Sequence, residues 1–343
     1  MPGRRDPGRR RGGGASDTPP IDAMFVLTPR SLLLDLAGPA EALRLANVHL
    51  QHAGRAPRFR LRYVAPAARL ETSVGVELAN LERLPDALTA PTWLMLIGQP
   101  RAMLARPDDA TLATARWLER QMQPRLDASP EHRLVTICSG TLLAARAGLL
   151  GTRRCTTHHT LLDRLRVLAP RADVVDNRVF VLDGTLASSA GVTAGIDLVL
   201  HLIASTCSES LALAVAQDMV VYLRRTPADP ELSPMLAHRH HLHAVVHRVQ
   251  DAISARPTDD WDARAMASVA NVSARHLGRL FARHAGISPL HYVESLRLEL
   301  ARQALRGGAT VTLAAEAAGF HSDLQLRRAW RRHHGGSPRD ATR

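Results

Sequence analysis

"RLVTICSG", residues 133–140, is an apolar run that ends on Cys138 and breaks at once into Ser139 and Gly140. Around it, short apolar runs alternate with longer segments of helical spacing from Ile21 to about Cys207. "AMFVLTP", "FRLRYVAP", "TWLMLIG" and "RLVTI" are predicted as strands, and "ETSVGVELAN" as a short hairpin. "LLLDLAGPAEALRLANVHL" reads as a loop leading into a helix, and "DATLATARWLERQM" as a helix. "GTLLAARAGLL" reads as a helix closed by Gly151, and "TLLDRLRVLA" as one closed by Pro170. Asp183-Gly184 lies between two extended arms and predicts a tight hairpin turn. "GIDLVLHLIASTCSESLALAVAQDMVVYL" is predicted helical throughout. Strand and helix in alternation imply a parallel sheet with helices on both faces. Ligands of such sheets bind beyond the carboxyl ends of the strands, which is where Cys138 falls.

The chain's 343 residues suit two domains rather than one core. Arg, Asp or His interrupts every apolar run before it reaches the roughly 18 residues that a membrane-crossing helix needs. The basic opening, residues 1–20, has no apolar secretory segment and is expected to be a disordered tail. Three cysteines with no C-x-x-C pair fit a reduced, cytoplasmic protein, and no cofactor or metal site is expected. All 44 basic residues are arginine, and the net charge is +12. The excess sits at the two ends: residues 238–343 hold 16 Arg against nine acids, and 11 of the 17 histidines. A basic folded domain points to a polyanion partner.

"RRTPADPELSP" cannot continue a helix, so residues 224–236 are predicted as a linker between a domain at 21–223 and another at 237–343. Beyond it only helices are predicted, and two segments there resemble one another: 261–293 and 311–343. Each has an Ala-rich helix, a turn holding Asn271 or Gly319, a Ser able to cap the next helix (Ser273, Ser322), and then a basic helix. Leu277, Leu280 and Phe281 in the first copy, and Leu326, Ala329 and Trp330 in the second, are predicted to face the core. Arg275, Arg279 and Arg283, with Arg327, Arg328, Arg331 and Arg332, should point outward. Helix, short turn and basic helix is the helix-turn-helix arrangement, in which the second helix enters the major groove.

The spacing of "SARHLGRLF" and "GISPLHY", repeated as "AEAAGFHS" and "GGSP", resembles the AraC/XylS-family DNA-binding domain. That resemblance implies two helix-turn-helix units joined by a long helix, "HYVESLRLELARQALRG". It places base-reading positions at Arg275, Gly278 and Arg279 in the first unit, and at Asp323, Gln325, Arg327 and Arg328 in the second. Gly278 has no side chain to read a base. Arg279 is the strongest candidate for one, because guanidinium matches guanine O6 and N7. Arg331 and Arg332 suit phosphates.

"LLDLAGPAEAL", "ICSGTLLAARAGLL", "RRCTTHH" and "VLDGTLASSAGVTAGIDL" resemble the PfpI-like branch of the class I glutamine-amidotransferase-like fold, in the order found in GlxA-type regulators. This implies a flavodoxin-like α/β domain, with Cys138 on a sharp strand-to-helix elbow and Gly140 permitting the turn. It also implies an acid at Asp35, a hydroxyl at Ser139 and a nearby imidazole at His158. PfpI-type proteases carry His directly after the Cys, where Ser139 stands here, so proteolysis is not expected. Three readings of the Asp35, Cys138, Ser139 and His158 set remain open at this point: an effector pocket, a structural remnant, and a cysteine-dependent hydratase or hydrolase. The resemblance further implies a homodimeric transcription regulator that binds promoter DNA and responds to a small-molecule effector, an amino acid or a methylated amine. A quaternary ammonium calls for aromatic faces. Only 3% of the chain is aromatic, and His159 stands where the family has Trp. Ser188, Ser189 and Arg154 would suit a carboxylate-bearing effector. Cys155 and Cys207 are expected to be core packing.

Overall fold

In the computed structural model the described residues are 19–126, 128–221, 225–227, 237–239, 241, 243–334 and 336–338. They divide into two compact units, at residues 231/232. The expected tail at 1–20 lies outside them except for Pro19 and Pro20, and the expected linker at 224–236 except for 225–227.

The first unit runs β1 (Ile21–Val26), α1 (Leu33–His52), β2 (Phe59–Ala65), β3 (Leu70–Glu71), β4 (Glu77–Leu78), β5 (Glu82–Arg83) and β6 (Thr92–Leu96). It continues with α2 (Arg101–Ala105), α3 (Asp109–Met122), β7 (Arg133–Ile137), α4 (Gly140–Arg146), β8 (Arg154–Cys155) and α5 (Leu162–Leu168). β9 (Asp173–Val174), β10 (Phe180–Asp183), β11 (Leu186–Ser189), α6 (Thr193–Thr206) and α7 (Glu209–Asp218) complete it. Seven strands form one sheet in the order β10-β11-β7-β6-β1-β2-β5. All neighbours are parallel except β10, which folds back antiparallel on β11 through the Gly184 turn. The sheet is therefore mixed rather than wholly parallel, because a two-residue turn can return a strand only antiparallel.

Strands buried on both faces explain the unbroken apolar runs. Ala23 and Phe25 of β1 enter one core with α1, α6 and α7, while Met24 and Val26 enter the other with α3 and α4. The chain leaves β1 toward β2 on one side and later returns to pair β6 on the other. Such a reversal opens a crevice at the carboxyl ends of the strands, and the loops after β1, β6 and β7 meet there.

Three local expectations are corrected. α1 begins at Leu33 and runs through Pro39, so the loop expected to lead into this helix is confined to Leu32 of the quoted stretch. The helix tolerates the proline because α6 packs hard on this turn: a Cβ at Gly38 would lie 2.7 Å from Ile196 Cγ1. α4 ends at Arg146, and Gly148, at φ 70°, turns the chain before Gly151 is reached. The helical stretch from 193 to 218 is two helices, because Ser208 caps α7 by accepting from Leu211 N–H at 3.2 Å.

The second unit contains, among the described residues, α8 (Ala244–Ala255), α9 (Ala263–Ala270), α10 (Ala274–His284), α11 (Pro289–Arg306), α12 (Val311–Ala317) and α13 (Asp323–His334). It has two apolar cores. Val293 and Leu296 of α11 close the first with α8, α9 and α10; Leu298, Ala301 and Leu305 open the second with α12 and α13. One helix of 18 residues thus serves both helix-turn-helix units. Leu277 and Phe281, and Leu326, Ala329 and Trp330, are buried as expected, with Leu280 packed at the margin.

Candidate functional site

β7 delivers Cys138 at φ 55°, a left-handed backbone that a side-chain-bearing residue rarely adopts. The surroundings pin this geometry: Cys138 N–H donates to Ser189 O at 3.1 Å, and Thr157 Oγ1 donates to Cys138 O at 2.8 Å. This is the nucleophile-elbow geometry that strand-to-helix turns use to present a side chain. Gly140 has a different task from the one expected. Its backbone is not left-handed; a Cβ there would stand 2.2 Å from Leu96 O, so glycine is what lets α4 lie against β6.

Asp35, in the first turn of α1, is brought to the elbow. Its Oδ1 accepts from Val192 N–H at 2.8 Å, while its Oδ2 is buried with no hydrogen-bond partner among the described residues. Asp35 is 1% and Cys138 5% exposed. Burial pushes the Asp35 carboxyl up to about 6, and the Val192 N–H, the Cys138 thiol and the Gly98 backbone nearby offset only part of that effect. Gly98 is the floor on which these groups converge: a Cβ there would lie 2.6 Å from Asp35 Oδ2, 3.0 Å from Cys138 Cβ and 3.0 Å from Ser139 Oγ. Gly191 is the cover, since its Cβ would fall 2.7 Å from Cys138 Sγ. Val192, which donates to Asp35, sits at φ 51° and ψ −118°, a strained backbone for a β-branched residue.

Ser139 is buried beside the thiol, but its hydroxyl is committed. Oγ donates to Gln99 O at 2.8 Å and accepts from Gln99 N–H at 2.6 Å, tying the turn after β6 to the elbow. His158 caps the short turn at 159–161, with Nδ1 2.9 Å from Thr160 Oγ1 and its ring tilted against His159 at 4.2 Å. Its neighbours bond this loop to the elbow: Thr157 Oγ1 donates to Cys138 O, and Thr156 O accepts from Thr141 Oγ1. Of the carboxylate-binding candidates, Ser188 Oγ accepts from Thr156 N–H at 2.9 Å, and Arg154 pairs with Asp173 on the surface at 3.4 Å. Ser189 Oγ is buried with no hydrogen-bond partner among the described residues. Cys155 is fully buried, its thiol pushed up to about 12 by burial first and then by Asp173 and Asp183; Cys207 is half-buried and raised by burial. Neither belongs to the elbow.

Gln99, Gly191, Val192 and Thr157 were not singled out from sequence. Gly98 had one signal, its place directly after an apolar strand. A second missed feature lies further along α6: Asp197 accepts from Arg225 N–H at 2.9 Å and from Arg225 Nε at 2.8 Å, and Thr193 Oγ1 accepts from Arg225 Nη2 at 2.7 Å. The helix that starts on Asp35 therefore also holds the residue where the linker was expected.

In the second unit, Ser273 caps α10 through His276 N–H at 3.2 Å, and Ser322 caps α13 through Gln325 N–H at 3.2 Å. Asn271 in the left-handed region and Gly319 at φ 75° make the two turns. Arg275, Arg279, Arg283, Arg328 and Arg331 are exposed, with no ion pair among the described residues. Arg279 Nη2 lies 3.4 Å from His276 Nδ1, its one hydrogen bond among the described residues. Gly278 faces open space between them. The second helix differs: Asp323 pairs with Arg327 at 3.4 Å one turn on, and Gln325 Oε1 accepts from His321 N–H at 2.9 Å. Asp323, Gln325 and Arg327 thus have local partners, and Arg332 is paired with Glu294.

Residues 126–205 match the DJ-1/PfpI family, and residues 266–343 match a helix-turn-helix domain family. The chain is 30% identical over 324 residues to the HTH-type transcriptional regulator GbdR of Pseudomonas aeruginosa, spanning 92% of this chain and 82% of that protein. It is 29% identical over 314 residues to the HTH-type transcriptional regulator GlxA of Rhizobium meliloti, spanning 90% of this chain and 91% of that protein. The isonitrile hydratase of Pseudomonas putida is 37% identical over 209 residues, 60% of this chain and 79% of that protein.

Proposed function

The chain belongs to the family of HTH-type transcriptional regulators that join a DJ-1/PfpI domain to an AraC-type helix-turn-helix domain, and from that premise we propose that its elbow site binds a metabolite which changes DNA binding. The observation that carries the proposal is the state of Asp35. A carboxylate buried at that depth without a cation beside it is costly, and a ligand ammonium would relieve the cost. An amino acid fits this better than a methylated amine, since the elbow residues named above include no aromatic cage. Ser189, whose backbone carbonyl accepts from Cys138 N–H, adds a buried hydroxyl with no partner among the described residues.

Asp35 holds Val192, Val192 starts α6, and Asp197 one turn later holds Arg225. A guest that pulls on Asp35 acts on the same rigid helix that anchors the beginning of the linker. DNA contacts are assigned to Arg275 and Arg279 in the first recognition helix and to Arg328 and Arg331 in the second. Asp323, Gln325 and Arg327 order that helix and reach bases only on giving up their local partners. A homodimer in the cytoplasm, acting on promoter DNA, is part of the same reading; no described helix is long and apolar enough to cross a membrane. Selection of bound fragments from a random-sequence duplex pool tests it. Enrichment of half-sites spaced by about one helical turn, some 34–36 Å, is expected. Recovery of unselected sequence would overturn it.

A second reading rests on the Asp35 to Cys138 contact itself, which suits a cysteine nucleophile with an acid beside it, and on the likeness to an isonitrile hydratase. Turnover of an isonitrile that disappears in Cys138→Ser would establish it. The covered thiol and the committed Ser139 hydroxyl favour binding over catalysis.

A further inference from the structure

Away from the elbow and the exposed arginines, one group of side chains in the second unit has the donors and spacing of a metal centre. His291 and Glu294 are three residues apart near the start of α11, which puts them on one helix face. His333 reaches the same place from the last turn of α13. One ligand atom from each lies within 4.8 Å of the other two. Glu294 Oε2 and His333 Nε2 are 3.2 Å apart, and the rings of His291 and His333 are 4.4 Å apart at 36°. Two donors on one tetrahedral zinc, each at about 2.0–2.1 Å, stand roughly 3.3 Å apart, so the Glu294 to His333 pair is already at chelating distance. His291 brings a third donor within 4.8 Å of that pair.

The electrostatics suit a cation. The Glu294 charge is at present answered by the Arg332 guanidinium. Arg332 is 61% exposed and can return to solvent, whereas Glu294 and His333 are 23% and 14% exposed and stay in place. His291 and Glu294 line a cleft of about 520 Å³ that also holds Asp260 and His321, so an ion has a way in. Two imidazoles and one carboxylate select a borderline transition metal over magnesium or calcium.

We propose that His291, Glu294 and His333 bind one divalent transition-metal ion, with zinc as the probe of choice, clamping the end of α13 to the helix shared by both DNA-binding units and displacing Arg332 from Glu294. The fold already brings the three together, so the ion fastens a contact rather than creating one.

Titration of the full, untagged, chelator-treated chain with zinc chloride at pH 7.5 tests this, with magnesium chloride as the hard-ion control. The expected result is one zinc per chain. His333→Ala and Glu294→Gln should each weaken it at least about tenfold, while Arg332→Ala tightens it by removing the competing cation. The sequence also holds the run "HRHHLH" at 238–243, so a His241→Ala/His243→Ala chain serves as counter-control and should keep the stoichiometric site. Circular dichroism of each metal-stripped variant checks folding. His291→Gln replaces any variant that fails, and a zinc-dependent rise in Tm seen in wild type and absent from the variant gives a second readout. No stoichiometric zinc in wild type would overturn the proposal. So would wild-type affinity in His333→Ala, whichever other histidines then hold the ion.

Discussion

Asp35 and Cys138 meet over Gly98, with Cys138 covered by Gly191 and held at positive φ, whereas Arg275, Arg279, Arg328 and Arg331 stand in solvent on helices whose apolar sides pack normally. At the elbow, the atoms that would meet a ligand are also the atoms that hold the sheet's carboxyl ends together. On the recognition helices the two tasks fall on opposite faces. A substitution in the first region therefore changes stability and binding together, and one in the second separates them.

The sharpest break of this contrast is Gly140→Ala. The added methyl meets the Leu96 carbonyl, which is backbone and cannot move aside, and a loss above about 4 kcal/mol or failure to fold is expected in urea denaturation. Ordinary stability in that variant would mean that the elbow is not close-packed.

Asp35→Asn comes next, and its sign is set by the raised carboxyl. Folding favours the protonated form, so its stabilisation is present below about pH 4 and is lost as pH climbs from 3.8 to about 6. At pH 7 the buried carboxylate costs on the order of 3 kcal/mol. Asparagine keeps an acceptor for Val192 N–H and carries no charge, so the variant should be more stable than wild type at pH 7 and equal to it at pH 4. Parallel denaturation curves at the two pH values check this; equal stability at both would remove the argument for an ammonium-bearing guest.

Arg279→Ala should cost about 1–3 kcal/mol of DNA affinity, concentrated at one base pair, with Tm unchanged. A uniform loss across sequences would move Arg279 to a phosphate. Smallest of all, Gly278→Ala should gain up to about 1 kcal/mol of stability, because a methyl there meets nothing and alanine suits a helix interior. Measured alongside, weaker DNA binding in that variant would mark close approach of the helix to the groove.

What sequence revealed divides along the same line. Period and composition disclosed both recognition helices, their capping serines and their buried faces, because a helix on the surface carries its own pattern. The elbow was visible as a strand ending on Cys138, but its closure was not. Gln99, Gly191 and Val192 reach it from loops 39, 53 and 54 residues away in sequence, and no local pattern announces a hydroxyl clamped by a distant backbone or a valine held at positive φ. The loop expected to lead into α1 is reduced to Leu32 for the same reason: packing under α6 lets the helix run through Pro39. Asp323, Gln325 and Arg327 were placed on this helix by resemblance, yet Asp323 pairs with Arg327 and Gln325 accepts from His321 N–H, which spacing alone does not disclose.

The most direct test of the account is the affinity of the full chain for its selected DNA, measured with and without a panel of amino acids and methylated amines, in wild type and in Arg225→Ala. Coupling of about 1–3 kcal/mol, a change of roughly 5- to 150-fold in Kd, is expected from at least one amine-bearing compound in wild type. Arg225→Ala, which removes the guanidinium bonds to Asp197 and Thr193 and leaves only the backbone N–H on Asp197, should bind DNA with a weakened response. DNA affinity indifferent to the whole panel, or an undiminished response in Arg225→Ala, would contradict it.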